Sequence, residues 1–402
     1  VIADFATGSS PDFDGPNGVG PCIASWNGGA GSAPECADDR ADEMAYGTVN
    51  GHDILTIANG DPGLPFVTLI DVTDIVNRTF KPPFTSPGQG HCLPVNYPAY
   101  PTPGDATNNY TPTNPAACIL GQIYYDAAAP LDSTKAVDNA VTPCPDQSTS
   151  VPSGASGGPF PLVATGGTLT IPCHHSAIVD QNTGAFITSN GPAVTGQGGE
   201  IAVAGTGAVG FNPLHGTFYV QNLNCTVSTL ATQSSVAVGC IDEIDPRIGN
   251  PAGPVVINVV PTLNCMPAGI TQGPGHDFFI GCGGHDGVQF PPLLIIFDGT
   301  CTTSAACIAS EVNIDQSGGT DEVWYNPGDN RYYTAGRDMP SGPVLGVIDA
   351  GSRQWLVNVT TGSNSHSVTV NQFTNQIFVP TQAGPLCGSQ SANGCIAVYG
   401  RQ

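Results

Sequence analysis

One local pattern returns along this chain and limits what it can fold into. It is a short strand, a tight turn, and a second strand rich in aromatic and β-branched residues. The clearest copies are His175-Ser-Ala-Ile-Val-Asp180 followed by Thr183-Gly-Ala-Phe-Ile187, and His366-Ser-Val-Thr-Val-Asn371 followed by Thr374-Asn-Gln-Ile-Phe378. The same register fits Asp321 to Asn326 with Asp329 to Tyr333, Gly207 to Asn212 with His215 to Tyr219, and Pro267 to Gln272 with Gly275 to Phe279. Two looser copies lie upstream, Glu43 to Thr48 with Asp53 to Ile57, and His91 to Asn96 with Gln122 to Tyr125. Each turn holds a Gly or Asn able to take positive φ.

A third apolar run follows most copies and closes on an aspartate, as in Leu69-Ile70-Asp71, Ile241-Asp242, Phe297-Asp298 and Ile348-Asp349. Repeats of several tens of residues with three or four strands each are the mark of β-propeller blades. The pattern predicts an all-β, disulfide-stapled β-propeller of six or seven blades, seven preferred from the seven openings, with six allowed because those at 175 and 207 stand too close for a full blade between them. A β-sandwich or β-solenoid is the alternative, and the repeat is too long for solenoid rungs. Residues 1–40 form a Gly/Asp/Pro-rich segment that fits no blade, and 41–402 form the propeller, with long Pro/Ser/Thr/Asn-rich insertions between 97 and 160. The last repeat ends at Cys395-Ile-Ala-Val-Tyr399 with no fourth strand in view. Val1-Ile-Ala-Asp-Phe5 is the strand-like segment expected either to close that blade or to add to a neighbouring molecule.

Composition narrows the class of partner. Nine basic residues face 32 acidic ones, a net charge of −23, and the two lysines are Lys81 and Lys135. Such a surface repels nucleic acid and anionic lipid and suits solubility outside a cell. The longest apolar run near a strand, Leu293 to Phe297, is far too short to span a bilayer, so no transmembrane segment is expected. The start at Val1 without a methionine reads as a processed or truncated chain.

The 14 cysteines contain no CxxC pair and no haem-attachment motif. Taken in order they fall into local pairs: Cys22 with Cys36, Cys92 with Cys118, Cys144 with Cys173, Cys225 with Cys240, Cys265 with Cys282, Cys301 with Cys307, and Cys387 with Cys395. An even count in an acidic, lysine-poor chain points to disulfides and an oxidising compartment, either secreted, at the cell surface or periplasmic.

The stretch Asp321 to Tyr333, then Val344 to Asp349, then His366 to Asn371 and Gln376 to Val379, resembles the YVTN/YncE-like β-propeller repeat proteins. The likeness is good over 319–399, fair over 173–300 and weak before that. It implies an exported or surface-located seven-bladed propeller and supports no particular reaction. The cysteine-bearing insertions depart from that family's plain ring.

Equivalent positions in radially arranged blades share one ring. Glu43, His91, His175, Asp321 and His366 open five repeats, while Gly207 and Pro267 open the other two. Three imidazoles with two carboxylates suit a divalent transition metal, with His174 and Glu322 beside them as further binding residues. Asp-rich turns such as Asp12 to Asn17 and Asp242 to Asp245 are of the kind that holds Ca²⁺. The same ring residues also serve by bonding a neighbouring blade's backbone, with no ligand at all. His52, His215, His276 and His285 fall outside the ring and are expected to be solvent-facing or structural.

Two functions follow. One is a secreted, non-catalytic propeller that binds a surface or assembles with itself, as filament-forming structural proteins do. The other is a metal-dependent hydrolase or oxidase working at the channel mouth. No HExxH or phosphate loop supports a specific reaction, and the first reading is preferred.

Overall fold

The computed structural model describes residues 40–60, 66–77, 92–94, 118–124, 148–150, 162–165, 175–180, 185–186, 201–202, 206–222, 237–247, 255–283, 291–387 and 394–400. They belong to two compact units, 1–206 with 246–255, and 207–245 with 256–402. The segment 1–39, most of 97–160, His91 and His174 lie outside the described residues.

The first unit opens with a four-stranded antiparallel meander: β1 (Arg40–Val49), β2 (His52–Gly60), β3 (Phe66–Asp71) and β4 (Cys118–Tyr124). Val49 pairs with His52 across a two-residue turn in which Asn50 (φ 49°) and Gly51 (φ 81°) are both left-handed. That is the conformation whose twist matches a hairpin, and Asn-Gly is the pair that adopts it most readily. A single helical turn, α1 (Thr73–Val76), follows β3.

The unit also holds β5 (Ser148–Ser150), β6 (Leu162–Thr165), β7 (His175–Asp180), β8 (Ala185–Phe186) and β9 (Ile201–Ala202). Here β7 pairs with β6, while β8 pairs with its Val179–Asp180 end and β9 with its His175–Ser176 end. A strand bonded to more than one neighbour lies inside a sheet, whereas a blade opens on an edge strand.

The second unit carries four consecutive blades. The first is β10 (Thr206–Asn212), β11 (Thr217–Asn222), β12 (Ala237–Asp245) and β13 (Val255–Leu263). The next is β14 (Met266–Gln272), β15 (Asp277–Gly283), β16 (Leu294–Asp298) and β17 (Val312–Ile314), with the helix α2 (Ser304–Ala309) before β17. Then come β18 (Thr320–Asn326), β19 (Arg331–Gly336), β20 (Val344–Asp349) and β21 (Gln354–Thr360). The last sheet has three strands, β22 (Thr369–Asn371), β23 (Gln376–Thr381) and β24 (Cys395–Tyr399).

Five blade-type sheets are therefore present among the described residues, opening near 43, 207, 267, 321 and 366, and the expectation of six or seven blades is corrected to five. The two false openings have separate causes. Gln122 lies in β4, the outer strand of the first blade, so the repeat read at His91 starts no new one. The hairpin read at His175 exists, but β7 is the interior strand just described.

Alternation along each second strand explains how the blades of the second unit pack. Successive side chains point to opposite faces, so the paired aromatics of β15 serve two cores. Phe278 meets Tyr219 and Phe297 on one side, and Phe279 stacks on Tyr332 at 4.4 Å on the other. In β19, Tyr332 packs towards the preceding blade and Tyr333 towards the following one, with Leu345, Val347, Ile377 and Val379.

A repeated asparagine position adds hydrogen bonds to this packing. Asn212, Asn326 and Asn371 end their opening strands, and each Oδ1 accepts a backbone N–H two residues on, from Leu214, Gly328 and Phe373. Two of these amides also reach the next blade: Asn212 Nδ2 donates to the Gly299 carbonyl at 2.8 Å and Asn326 Nδ2 to Asn375 Oδ1 at 3.0 Å. Asn326 is fully buried. Its replacement by alanine is expected to cost about 2 kcal/mol, the sum of two lost hydrogen bonds, and Asn326→Asp should not recover it, since it keeps the acceptor but buries a carboxylate against Asn375 Oδ1. Denaturant midpoints of the two variants check this, and an unchanged midpoint in Asn326→Ala would show that the position adds no stability.

Four of the expected local disulfides are present: Cys92–Cys118, Cys265–Cys282, Cys301–Cys307 and Cys387–Cys395, with Cα atoms 5.9, 5.1, 5.2 and 5.4 Å apart. Cys240 is disulfide-bonded too. The remaining expected pairings fall on other parts of the chain: Cys22, Cys36, Cys144, Cys173 and Cys225 all lie outside the described residues. The pairs Cys22 with Cys36 and Cys144 with Cys173 therefore stay sequence-based expectations. Among the described residues no cysteine is free.

Candidate functional site: the open edge of the last sheet

Of the residues expected to open the repeats, Asp321 and Glu322 stand at the start of β18, and His366 just precedes β22 in the adjoining blade. The Glu322 N–H donates to the His366 carbonyl at 3.0 Å, so these two openings are neighbours. The Asp321 carboxylate faces the Arg337 guanidinium at 3.3 Å, which neutralises it locally. His366 donates from Nδ1 to the Asn364 carbonyl at 3.0 Å. Glu43 lies on β1 and His175 on β7, both in the first unit.

Among the described residues one group brings three ligand-type atoms within 4.8 Å of one another: Asp71, Cys92 and Cys118. The two sulfurs are bonded to each other. The Asp71 carboxylate is already engaged, by His52 Nδ1 at 2.7 Å, Leu93 N–H at 2.7 Å, and Thr73 N–H and hydroxyl at 2.9 and 2.6 Å. That set of donors locks the end of β3 to the hairpin and leaves little capacity for an ion.

The second unit repeats the device. Glu243, buried in β12, accepts from His215 Nδ1 at 2.9 Å and from the Thr217 hydroxyl at 2.8 Å. His52 and His215 are thus half-buried partners of buried carboxylates. The aspartates that close β3, β16 and β20 bind the backbone N–H groups of Thr73, Thr300 and Ser352, as turn aspartates do. Those turn bonds hold the Asp298 and Asp349 carboxyls below the usual range. The reading of Ile241-Asp242 as a strand end needs correction, since β12 runs on to Asp245 and buries Asp242 mid-strand.

The outer edge of β24 differs from every other blade edge. Each of the other four blades has a fourth strand, and among the described residues nothing pairs there with β24. In the preceding blade Leu345 pairs with Val359 and Val347 with Val357, and cross-strand partners share a face. Leu345 and Val347 lie buried against Val368, Ile377 and Val379 of the last sheet. Val357 and Val359 continue the same apolar row outward, yet they are 44% and 36% exposed. They overlook the place a fourth strand beside β24 would occupy.

On the opposite face of the last sheet, Ile396 and Val398 are 63% and 55% exposed, whereas the third strands β16 and β20 are almost wholly buried. Tyr399 steadies the edge by donating its hydroxyl to the Thr360 carbonyl at 3.3 Å. Burial raises its pKa, which keeps that donor protonated. Nothing in the sequence alone marks Val357 and Val359, because exposure depends on which strands pack beside them, and among the described residues the last sheet has three strands.

No protein-family model matches this chain, and no curated protein does. Among solved structures, hydrazine synthase of Kuenenia stuttgartiensis is 17% identical with a TM-score of 0.42, the match covering 61% of this chain and 60% of that one. A mitotic checkpoint complex is 11% identical over 90% of this chain and 74% of that one, with a TM-score of 0.47. Dihydro-heme d1 dehydrogenase NirN in complex with DHE is 12% identical over 85% of this chain and 52% of that one, with a TM-score of 0.42. The β-propeller assignment rests on the sheets themselves. Disulfide-bonded cysteine pairs are consistent with an extracellular location, and among the described residues no helix is long and apolar enough to cross a membrane.

Proposed function

We propose that this protein is a secreted or cell-surface β-propeller that works by binding and assembly, with the open edge of β24 as its contact. The observation that carries the reading is the exposed Val357–Val359 row beside a strand edge that no described residue pairs with. An exposed edge flanked by apolar side chains is a template for one more strand, and such edges are ordinarily blunted by charge or proline. Here the five residues of β24 contain neither. Strand addition satisfies backbone groups through main-chain hydrogen bonds and takes its specificity from the side-chain row it covers.

A metal-dependent reaction at the repeat openings receives less support. The Asp321 carboxylate is committed to Arg337, and the Asp71 group is closed by hydrogen bonds and a disulfide. The test is the double variant Val357→Lys with Val359→Lys in the full chain. Both positions are exposed, so the fold should tolerate it, while the added charges should repel an incoming strand. Sedimentation and negative-stain microscopy are expected to show assemblies in the parent protein and dispersed particles in the variant. Unchanged assembly, or a parent protein monomeric at high concentration, would sink the reading.

A further inference from the structure

We infer that Asn358 is an N-glycosylation site and that its first sugar rests on the indole of Trp355. An Asn-x-Ser/Thr triplet with x other than proline is the acceptor for an N-linked glycan. Such triplets stand at Asn77, Asn109, Asn224 and Asn358, and Asn358-Val-Thr360 is the one lying wholly within the described residues. A triplet alone is a weak signal, and the local geometry is what singles this one out. It sits on β21, the outer strand of its blade, with Thr360 exposed and Asn358 half-buried.

A bulge brings Trp355 to the acceptor. Residues three apart on a regular strand point to opposite faces. Here Val347 pairs with Val357 and Ile348 with Trp355, so Leu356 is an extra residue in the strand. Trp355 and Asn358 therefore share one face, that of Ile348 and Gly346 on β20. The indole N–H donates to Asn358 Oδ1 at 3.0 Å, and Asn358 Nδ2 donates to the Gln316 carbonyl at 2.8 Å. Trp355 is 38% exposed.

In the modification Nδ2 loses a proton to solvent and bonds C1 of the sugar. The bond from C1 to a diphosphate-activated lipid donor breaks, and the diphosphate leaves with the electron pair. One N–H remains for Gln316. A secondary amide prefers the trans form, in which the substituent on nitrogen stands on the same side as the carbonyl oxygen. The sugar therefore projects on the Oδ1 side, where the indole lies, and its C–H face covers the electron-rich face of the ring. Val357 and Val359 point to the other side of β21, so the glycan does not cover the valine row.

The inference rests on the protein being secreted but not on the edge of β24. The full chain is recovered from its native cells and medium, and its peptides are weighed by mass spectrometry. The peptide holding Asn358 is expected to carry a glycan, and Thr360→Ala, which removes the acceptor hydroxyl, to abolish it. A bare Asn358 in secreted protein overturns the inference and leaves the proposed function standing. Protein found only inside the cell overturns both. Melting temperatures test the indole in a double-mutant cycle. Thr360→Ala should lower the melting temperature of the parent more than that of Trp355→Ala, because without the ring the sugar has no platform. Equal shifts overturn the contact with Trp355.

Discussion

Alanine at Gly269 is expected to destabilise the protein by about 3 kcal/mol, near the upper end of the usual cost of overpacking. Gly269 lies in β14, where a side chain would meet the backbone of the next blade's opening strand. A Cβ there falls 2.5 Å from the Asp321 carbonyl oxygen and 2.7 Å from the Val323 nitrogen. Neither can rotate away as a side chain could. Separating the strands would in turn loosen the Phe279–Tyr332 stack between the same two blades. Gly400→Ala is the control, since nothing lies within 4 Å of its added methyl group. Denaturant midpoints should fall sharply for the first and stay put for the second. A fully stable Gly269→Ala protein would mean that the two inner strands are not in close contact.

Replacing Asp242 by asparagine should change how stability depends on pH. Asp242 is 2% exposed; its Oδ2 accepts from Asn222 Nδ2 at 2.7 Å, and its Oδ1 is buried without a hydrogen bond. Burial pushes its pKa up from 3.8 to about 6. A carboxyl whose folded pKa is raised holds its proton more tightly in the folded state. Its contribution to stability is complete below 3.8 and is lost as pH rises through about 6. The difference between those values corresponds to about 3 kcal/mol.

Glu311, raised by burial from 4.5 to about 7, acts in the same direction. Asp298 and Asp349 have lowered pKa values, so their contribution is lost only below the ordinary carboxylate range. The parent protein should therefore gain stability on going from about pH 8 to about pH 5. Asp242→Asn should be the more stable of the two at about pH 8, and the gap should close near about pH 4. A variant less stable than the parent at the alkaline end would show that the ionised carboxylate is stabilised there after all.

Much of the second unit was legible from its repeats. The hairpins opening near 207, 267, 321 and 366 were readable because alternation and turn chemistry act over a few residues. Asn326 with its left-handed partner Asn330 is such a case. Local pairing of cysteines was readable for the same reason, since short loops such as 301–307 bring their ends together at small entropic cost. The candidate site was far less accessible. Asp321 and His366 could be assigned to neighbouring openings from the register alone, but the charge facing Asp321 comes from Arg337, beyond the end of β19. Glu243 and Asp71 gave no signal as buried carboxylates, because burial depends on which strands and turns pack over them.

The sequence by itself determined that this is an all-β chain of hairpins with aromatic second strands, acidic and disulfide-stapled, because those properties reside in residue type and near-neighbour spacing. Only the tertiary structure decided how many hairpins begin a blade. His175 to Asp180 matches the repeat as well as His366 to Asn371 does, yet among the described residues β7 is bonded to β6 as well as to β8, and β22 to β23 alone. Whether a strand lies at an edge or inside a sheet is a property of its pairing partners, and these come from distant parts of the chain. The same cause leaves Val357 and Val359 uncovered.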